Sequence, residues 1–252
     1  AKTTLPAPDV TTTVVVIVPT TTMMQATTTA GTVATTPNAT PSLTSAEDIR
    51  NHFLDVAYTS TNRLERLDYD ADKPRLVISV VSAGENDVAL IERTARDFNE
   101  ASPTVKLSEN IKESGSGDIQ IKFLPQDGLS AIELDDVTES GVFSELLTRR
   151  ELFQGNVPAA KILRGTIYLN ANLKGAARDH VIVRSLMYQM GLTGESTKFA
   201  DSVFYAGENT NTDLTTVDKK IITMLYADEF ENGMTMEELR KVIYLPCFRN
   251  NI

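Results

Sequence analysis

Residues 179–192, DHVIVRSLMYQMGL, are the stretch around which the rest of the sequence arranges itself. Val181, Leu186, Met187 and Met190 fall near helical spacing, so one face is apolar enough to sit in a core. Gly191 marks where that helix stops, because glycine enters the left-handed C-cap conformation without penalty. Just before it, Gly165 to Asn170 (GTIYLN) reads as a strand leading into the helix at Ala176. After it comes a loop rich in turn formers, 193–213, and then a helix capped by Thr215 or Thr216 and carrying Val217, Ile221, Ile222, Met224, Leu225 and Tyr226. Leu186, Met190, Ile222 and Leu225 are expected to be buried together, the central helix lying against the one from Val217. Thr235 caps a last helix, Met236 to Val242.

Upstream, Thr44-x-x-Glu47 has the pattern of a capping box for a helix through about Tyr58, with Ile49, Phe53, Val56 and Ala57 inward. Arg75 to Val81 (RLVISVV) is a buried-strand run. Asp87 to Ala101, with Val88, Ile91, Ala95 and Phe98 at helical spacing, is a long amphipathic helix that Pro103 follows. Val105 to Leu107 and Asp118 to Leu124 alternate as strands, separated by the turn Gly115-Ser116-Gly117. A helix is expected from Val142 to Phe153. The succession of strands and helices is α+β, a sheet packed against two helices on one side.

Residues 1–45 are a different material. Sixteen of the first 44 residues are threonine, with five prolines interspersed, and the only charges before residue 46 are Lys2 and Asp9. Such composition fits a disordered, glycosylated stalk, and Asn38-Ala39-Thr40 is an acceptor pattern. Yet Thr11 to Val18 is β-branched at every position and uncharged, the strongest strand signal in the chain. As an exposed segment it would seek a sheet edge. The two readings are a linker and a strand lent to a neighbouring subunit through Val14, Val15, Val16, Ile17 and Val18.

The net charge of −10 therefore belongs wholly to residues 46–252, which are enough for one domain with a real core. An acidic surface disfavours phosphate backbones and anionic lipid, so neither nucleic acid nor a membrane surface is an expected partner. No run reaches the ~20 apolar residues of a membrane helix. The single Cys247 excludes an intrachain disulfide framework and any multi-cysteine metal site. Ala1, with no methionine before it, fits a chain from which a signal peptide has been removed, and the expected location is secreted or cell-surface.

The strand GTIYLN before the helix, MGL at its end and the later LTTVDKKIITMLY together resemble the zincin fold, the last stretch being similar to the helix that closes matrixin-type peptidase domains. A fuller resemblance, good over 160–243 and extending back to about 50, is to an exported bacterial family classed as a domain of unknown function. Its members read Glu-Leu-x-Gln-x-Leu-Gly-Leu, Asp-Ser, Ser-Ile-Phe, Leu-Thr-x-x-Asp, Leu-Tyr and Gly-Met-Thr. The corresponding stretches here are 185–192, Glu195-Ser196, Ser202-Val203-Phe204, Leu214 to Asp218, Leu225-Tyr226 and Gly233-Met234-Thr235. In the zinc peptidase motif His-Glu-x-x-His-x-x-Gly, setting the glycine on Gly191 puts Arg184 and Tyr188 at the two histidines and Ser185 at the glutamate. The resemblance thus implies a pseudopeptidase: a zincin-like domain without the zinc ligands.

The residues agree with that implication. Catalytic zinc takes about three protein ligands and an open position, whereas the chain has two histidines, His52 and His180. Arginine has no lone pair to offer a metal. Ser185 lacks a glycine-framed elbow and a basic partner, and reads as a hydroxyl bonded to its own helix backbone. Arg184 and Tyr188, four apart, suit either plain packing or a vestigial cleft for a peptide strand. Asp68-Tyr69-Asp70-Ala71-Asp72 and Asp135-Asp136 lack an EF-hand loop, and Gly84-Glu85-Asn86-Asp87 lacks the glycines of a phosphate loop, so both acidic runs read as solvated and no cofactor or nucleotide is implied.

The expectation is a catalytically inactive structural subunit of a surface layer, fibre or appendage, self-assembling by donating residues 11–18 to the next copy. The alternative is a peptide-binding pseudopeptidase that uses the old cleft.

Overall fold

The computed structural model describes residues 44–58, 63–67, 75–113, 116–133, 150–163 and 165–245. The tail with its run Val14 to Val18, the two acidic runs, most of the helix expected from Val142 and Cys247 lie outside the described residues. The elements, in order, are α1 (Ala46–Ala57), β1 (Ile78–Val81), α2 (Glu85–Ala101), β2 (Ile119–Leu124), α3 (Gln126–Ser130), β3 (Arg150–Gln154), β4 (Val157–Leu163), β5 (Thr166–Asn170), α4 (Gly175–Gln189), α5 (Thr216–Leu225) and α6 (Met236–Ile243). This is a mixed α/β fold with one five-stranded mixed sheet, order β1-β2-β5-β4-β3. β1, β2 and β5 run parallel, and β4 is antiparallel to both β5 and β3.

Helix starts follow the sequence closely. Thr215 and Thr235 each close a full capping box, with Asp218 and Glu238. At α1 the cap is Ser45 rather than Thr44, its hydroxyl accepting from the Asp48 amide at 3.0 Å. Between Val105 and Leu107 the expected strand shrinks to a single bridge, Leu107 to Leu76.

One expected helix is wrong where it can be seen. Arg150 to Phe153, the end of the segment expected to be helical, belongs to strand β3, paired antiparallel to β4. The two strands are joined by the two-residue turn Gly155-Asn156, with Gly155 at φ +59°, and a turn of that type and length imposes strand pairing on both sides. β4 itself was hidden because Pro158, Ala159 and Ala160 are weak strand formers. Two-sided burial overrides that weakness: Ala159, Ala160, Lys161 and Ile162 are all buried.

α4 lies across β3, β4 and β5. Leu186, Met190, Ile222 and Leu225 share one core and are fully buried. The intermediary differs from the expectation: α2 packs against both α4 and α5, and α1 packs against α5. Direct linkage between the central helix and the end of α5 comes from Tyr226, whose hydroxyl donates to the carbonyls of Met190 at 2.8 Å and Leu67 at 3.2 Å. Its ring meets Phe98 edge-on at 5.3 Å. Among the described residues no helix is long and apolar enough to cross a membrane.

Gly191 sits at φ +101°, and a Cβ there would overlap the carbonyl of Glu65 and come within 2.8 Å of Arg66 Cα. Both obstacles are backbone, so neither can swing aside. Gly191→Ala is expected to cost about 2–4 kcal/mol in denaturant unfolding, from strain plus overpacking. A cost below ~1 kcal/mol would show that the 63–67 segment does not bear on this helix end.

Candidate functional site

The four positions that the peptidase motif singles out are all inside the protein. Arg184 is 5% exposed, Tyr188 4% and Ser185 0%. The guanidinium of Arg184 turns along its own helix toward the C-terminus, donating to the carbonyls of Leu192 (2.7 Å), Thr193 (3.3 Å) and Gly194 (2.5 Å). It also stands over the Phe204 ring, 5.1 Å from the centroid. Arginine suits this place because its planar fork presents five donors that one rotamer can spread over successive carbonyls. The peptide-facing surface that a vestigial cleft would need is therefore not offered by Arg184 and Tyr188.

Ser185 departs from the expectation that its hydroxyl bonds back to the helix. Its Oγ has no protein partner, nor does either amide atom of Gln189 one turn later, which is also fully buried.

His180 shares the Arg184 side of the helix. Its Nδ1 lies 2.7 Å from the carbonyl of Asn211, so that nitrogen carries the proton. Burial pushes its pKa below the usual histidine value; the Asn211 bond and Glu195 oppose this, while Arg184 acts in the same direction as burial. Among the described residues no three His, Cys, Asp or Glu side chains converge as a metal would require.

A cluster that sequence reasoning missed joins Ser202, His52 and Asp218, all fully buried. Their chemistry is that of a Ser-His-Asp triad, but their order is not. Ser202 Oγ donates straight to Asp218 Oδ1 at 2.5 Å, with His52 Nε2 at 3.4 Å from the hydroxyl and 3.8 Å from the carboxyl. In a hydrolytic relay the imidazole stands between serine and acid and the hydroxyl faces substrate; here the hydroxyl is spent on the acid and faces no solvent. The other Asp218 oxygen accepts from the amides of Val203 (3.3 Å) and Thr215 (3.0 Å) and from the Thr215 hydroxyl (2.9 Å). The Leu-Thr-x-x-Asp and Ser-Val-Phe stretches thus meet in one knot that pins the 195–214 loop to the start of α5. The capping box was visible in the sequence; the long-range partners Ser202 and His52 were not.

One open groove, of about 930 Å3, lies where α2 and α4 begin, after the C-terminal ends of β1 and β5. Ligands in open α/β sheets bind at that end of the strands. Arg93, Arg96, Lys174 and Arg178 line it, and three carboxylates, Glu85, Asp87 and Asp179, line it too. Asp87 and Arg178 are committed to each other by two 2.8 Å bonds, which hold Asp87 below the usual carboxylate range. The remaining groups are three cations, of which Arg93 also pairs with Asp213 at 3.1 Å, against two carboxylates, so the groove has the position of a ligand site with little net charge to select a ligand.

Two outcomes check this reading of the buried groups. Asp218→Ala is expected to cost about 3 kcal/mol or more, since it strips partners from several buried donors. Ser185→Ala, which breaks no protein hydrogen bond and gains helix propensity, is expected to be neutral or stabilising by about 0.5–1 kcal/mol. Chemical denaturation of the two variants measures both, and the reverse ranking would mean that the Ser185 hydroxyl, not the Asp218 carboxylate, holds the buried polar structure together. The His180 imidazole gives a pH test. Its folded pKa is lowered from 6.5, so the unfolded chain takes the proton first and stability is lost as pH falls below about 6.5. Melting temperature should drop between about pH 7 and pH 5, and His180→Gln should flatten that slope; an unchanged slope would place the titration elsewhere.

No curated protein matches the chain. The profile of a family described as "Protein of unknown function (DUF2927)" matches residues 46–244, from the first residue of α1 to the end of α6. Tail residues 1–45 fall outside that match, and the helix end, knot and groove all fall within it. By that match over most of its length, the chain belongs to the DUF2927 family.

Proposed function

We propose that the chain is a catalytically inactive, zincin-like structural subunit of an exported assembly, a fibre, appendage or surface layer, whose copies are joined by donation of Thr11 to Val18. The observation that carries the non-catalytic half is the Arg184 guanidinium, bonded to the carbonyls of residues 192–194 at the place where the motif would put a zinc histidine. A side chain that holds the backbone together there is not free for metal or substrate. The zincin-like half is supported by β5 feeding directly into α4, with the antiparallel β4 beside it and Met190-Gly191-Leu192 at the helix end.

Strand donation is supported by the chemistry of the tail. Val14, Val16 and Val18 would face one way and Thr13, Val15 and Ile17 the other. Burying one such row of three is worth roughly 4–6 kcal/mol before ordering entropy is subtracted. Pro19 to Ser45, 27 residues, reaches up to about 90 Å when extended, ample to span to a neighbour. The burial of Arg184 and Tyr188 weighs against the cleft-binding alternative.

Deleting residues 1–20 is expected to leave a folded, soluble monomer that no longer assembles, as read by sedimentation velocity and melting temperature. If the truncated chain assembles as well as the full one, strand donation is discarded.

A further inference from the structure

We propose that the donated strand is received by the outer edge of β3, in a second copy of this chain; this rests on the strand-donor reading above. A five-stranded open sheet has two edges, and they are not equivalent here. The β1 edge is covered by the segment 106–112. Leu76 donates to the Lys106 carbonyl and accepts from the Ser108 amide, both at 2.8 Å. Farther along, Val80 donates to Lys112 O at 2.8 Å and Lys112 donates to Ile78 O at 3.2 Å. β3 has one strand neighbour among the described residues, β4. Among those residues its backbone makes no hydrogen bond outside that ladder.

The tip of the β3–β4 hairpin also exposes apolar side chains, Phe153 on β3 and Val157 on β4. Phe153 is 56% exposed and Val157 45%, the two highest values among the exposed large hydrophobics of the described residues. They sit at the tip of one hairpin, where Phe153 pairs with Pro158 and Gln154 with Val157. Open edges are ordinarily guarded by lysine, proline or a bulge. β3 contains no lysine or proline; its charged residues are Arg150 and Glu151, and it carries one irregularity, between Leu152 and Phe153. Its acid is engaged elsewhere: Glu151 reaches the buried Lys161 at 3.9 Å. An uncharged, β-branched strand would therefore meet on this edge an apolar hairpin tip and a backbone that, among the described residues, bonds only to β4. Main-chain pairing would supply affinity, and Phe153 on the edge strand would set register.

Cross-linking in the full-length chain tests it. In a Cys247→Ser background, one preparation carries a cysteine in the tail (a scan over Thr13 to Val18) and the other carries Phe153→Cys or, as the control edge, Val81→Cys. The two preparations are mixed and oxidised. Disulfide geometry is narrow enough that Phe153→Cys should join alternate tail positions across chains, roughly tenfold over Val81→Cys. Equal joining to Val81→Cys, joining only within one chain, or no joining while the protein still assembles would each overturn β3 as the acceptor. The last result would mean that the tail is received elsewhere. Failure of the donor reading is separate: there the residue 1–20 deletion leaves assembly intact.

Discussion

A helix that ends inside a protein has to find partners for its last carbonyl groups without help from water. α4 is in that position, since every residue from His180 to Gly194 is buried. The solution takes three parts. Gly191 reverses the chain so that the amides of Met190, Gly191 and Leu192 return to Leu186, Tyr188 and Met187. Arg184 satisfies the three carbonyls that follow the reversal, and the Tyr226 hydroxyl satisfies that of Met190. Remove any one and a buried carbonyl loses its partner, which costs more than an average hydrogen bond contributes.

That constraint orders much of the remaining structure. Tyr226 reaches Met190 because α5 is fixed at its start by the Asp218 knot and along its length by α1 and α2. The segment 63–67 presses on Gly191 because its backbone pairs with the Gly233-Met234 stretch, Leu64 exchanging bonds with Met234 at 2.7 Å and Gly233 at 2.8 Å. Arg66 then donates to the carbonyl of Leu225 at 2.6 Å. The short motifs scattered over 185–235 are thus parts of one closure around a single helix end. Motifs of this kind look like a dispersed active site in a sequence, because catalysis and buried polar closure both call for particular polar residues at particular places.

The same distinction explains what could be read from the sequence. Periodicity and caps are local, so α2, α4, α5 and α6 were legible, as was the strand GTIYLN. Ser45 in place of Thr44 is a one-residue slip between two adjacent hydroxyl residues, either able to cap. The β3–β4 hairpin was lost because proline and alanine hid β4, although Gly155-Asn156 between Gln154 and Val157 is a hairpin signal by length and type. The knot was illegible for a stronger reason: His52 and Ser202 are 150 positions apart, and nothing local says that they meet. Arg184 could be read as unable to bind zinc, but not as a carbonyl clamp, since that role exists only once the chain has turned at Gly191.

The charge distribution bears on how such a domain could associate. All of the −10 net charge lies in residues 46–252, so two copies brought face to face repel each other unless an interface is built to offset it. That repulsion is screened over about 8 Å at physiological ionic strength. On the strand-donation reading, an uncharged strand on a 27-residue tether would join copies without pressing their acidic faces together. Affinity then comes from backbone pairing and apolar side chains, which salt does not weaken, and the acidic surface is left to keep the bodies soluble and separate. Association through the domain faces would instead strengthen steeply with added salt. The two modes would therefore differ in ionic-strength signature: on the strand-donation reading assembly through the tail is nearly indifferent to salt, whereas face-to-face association strengthens as salt screens the repulsion.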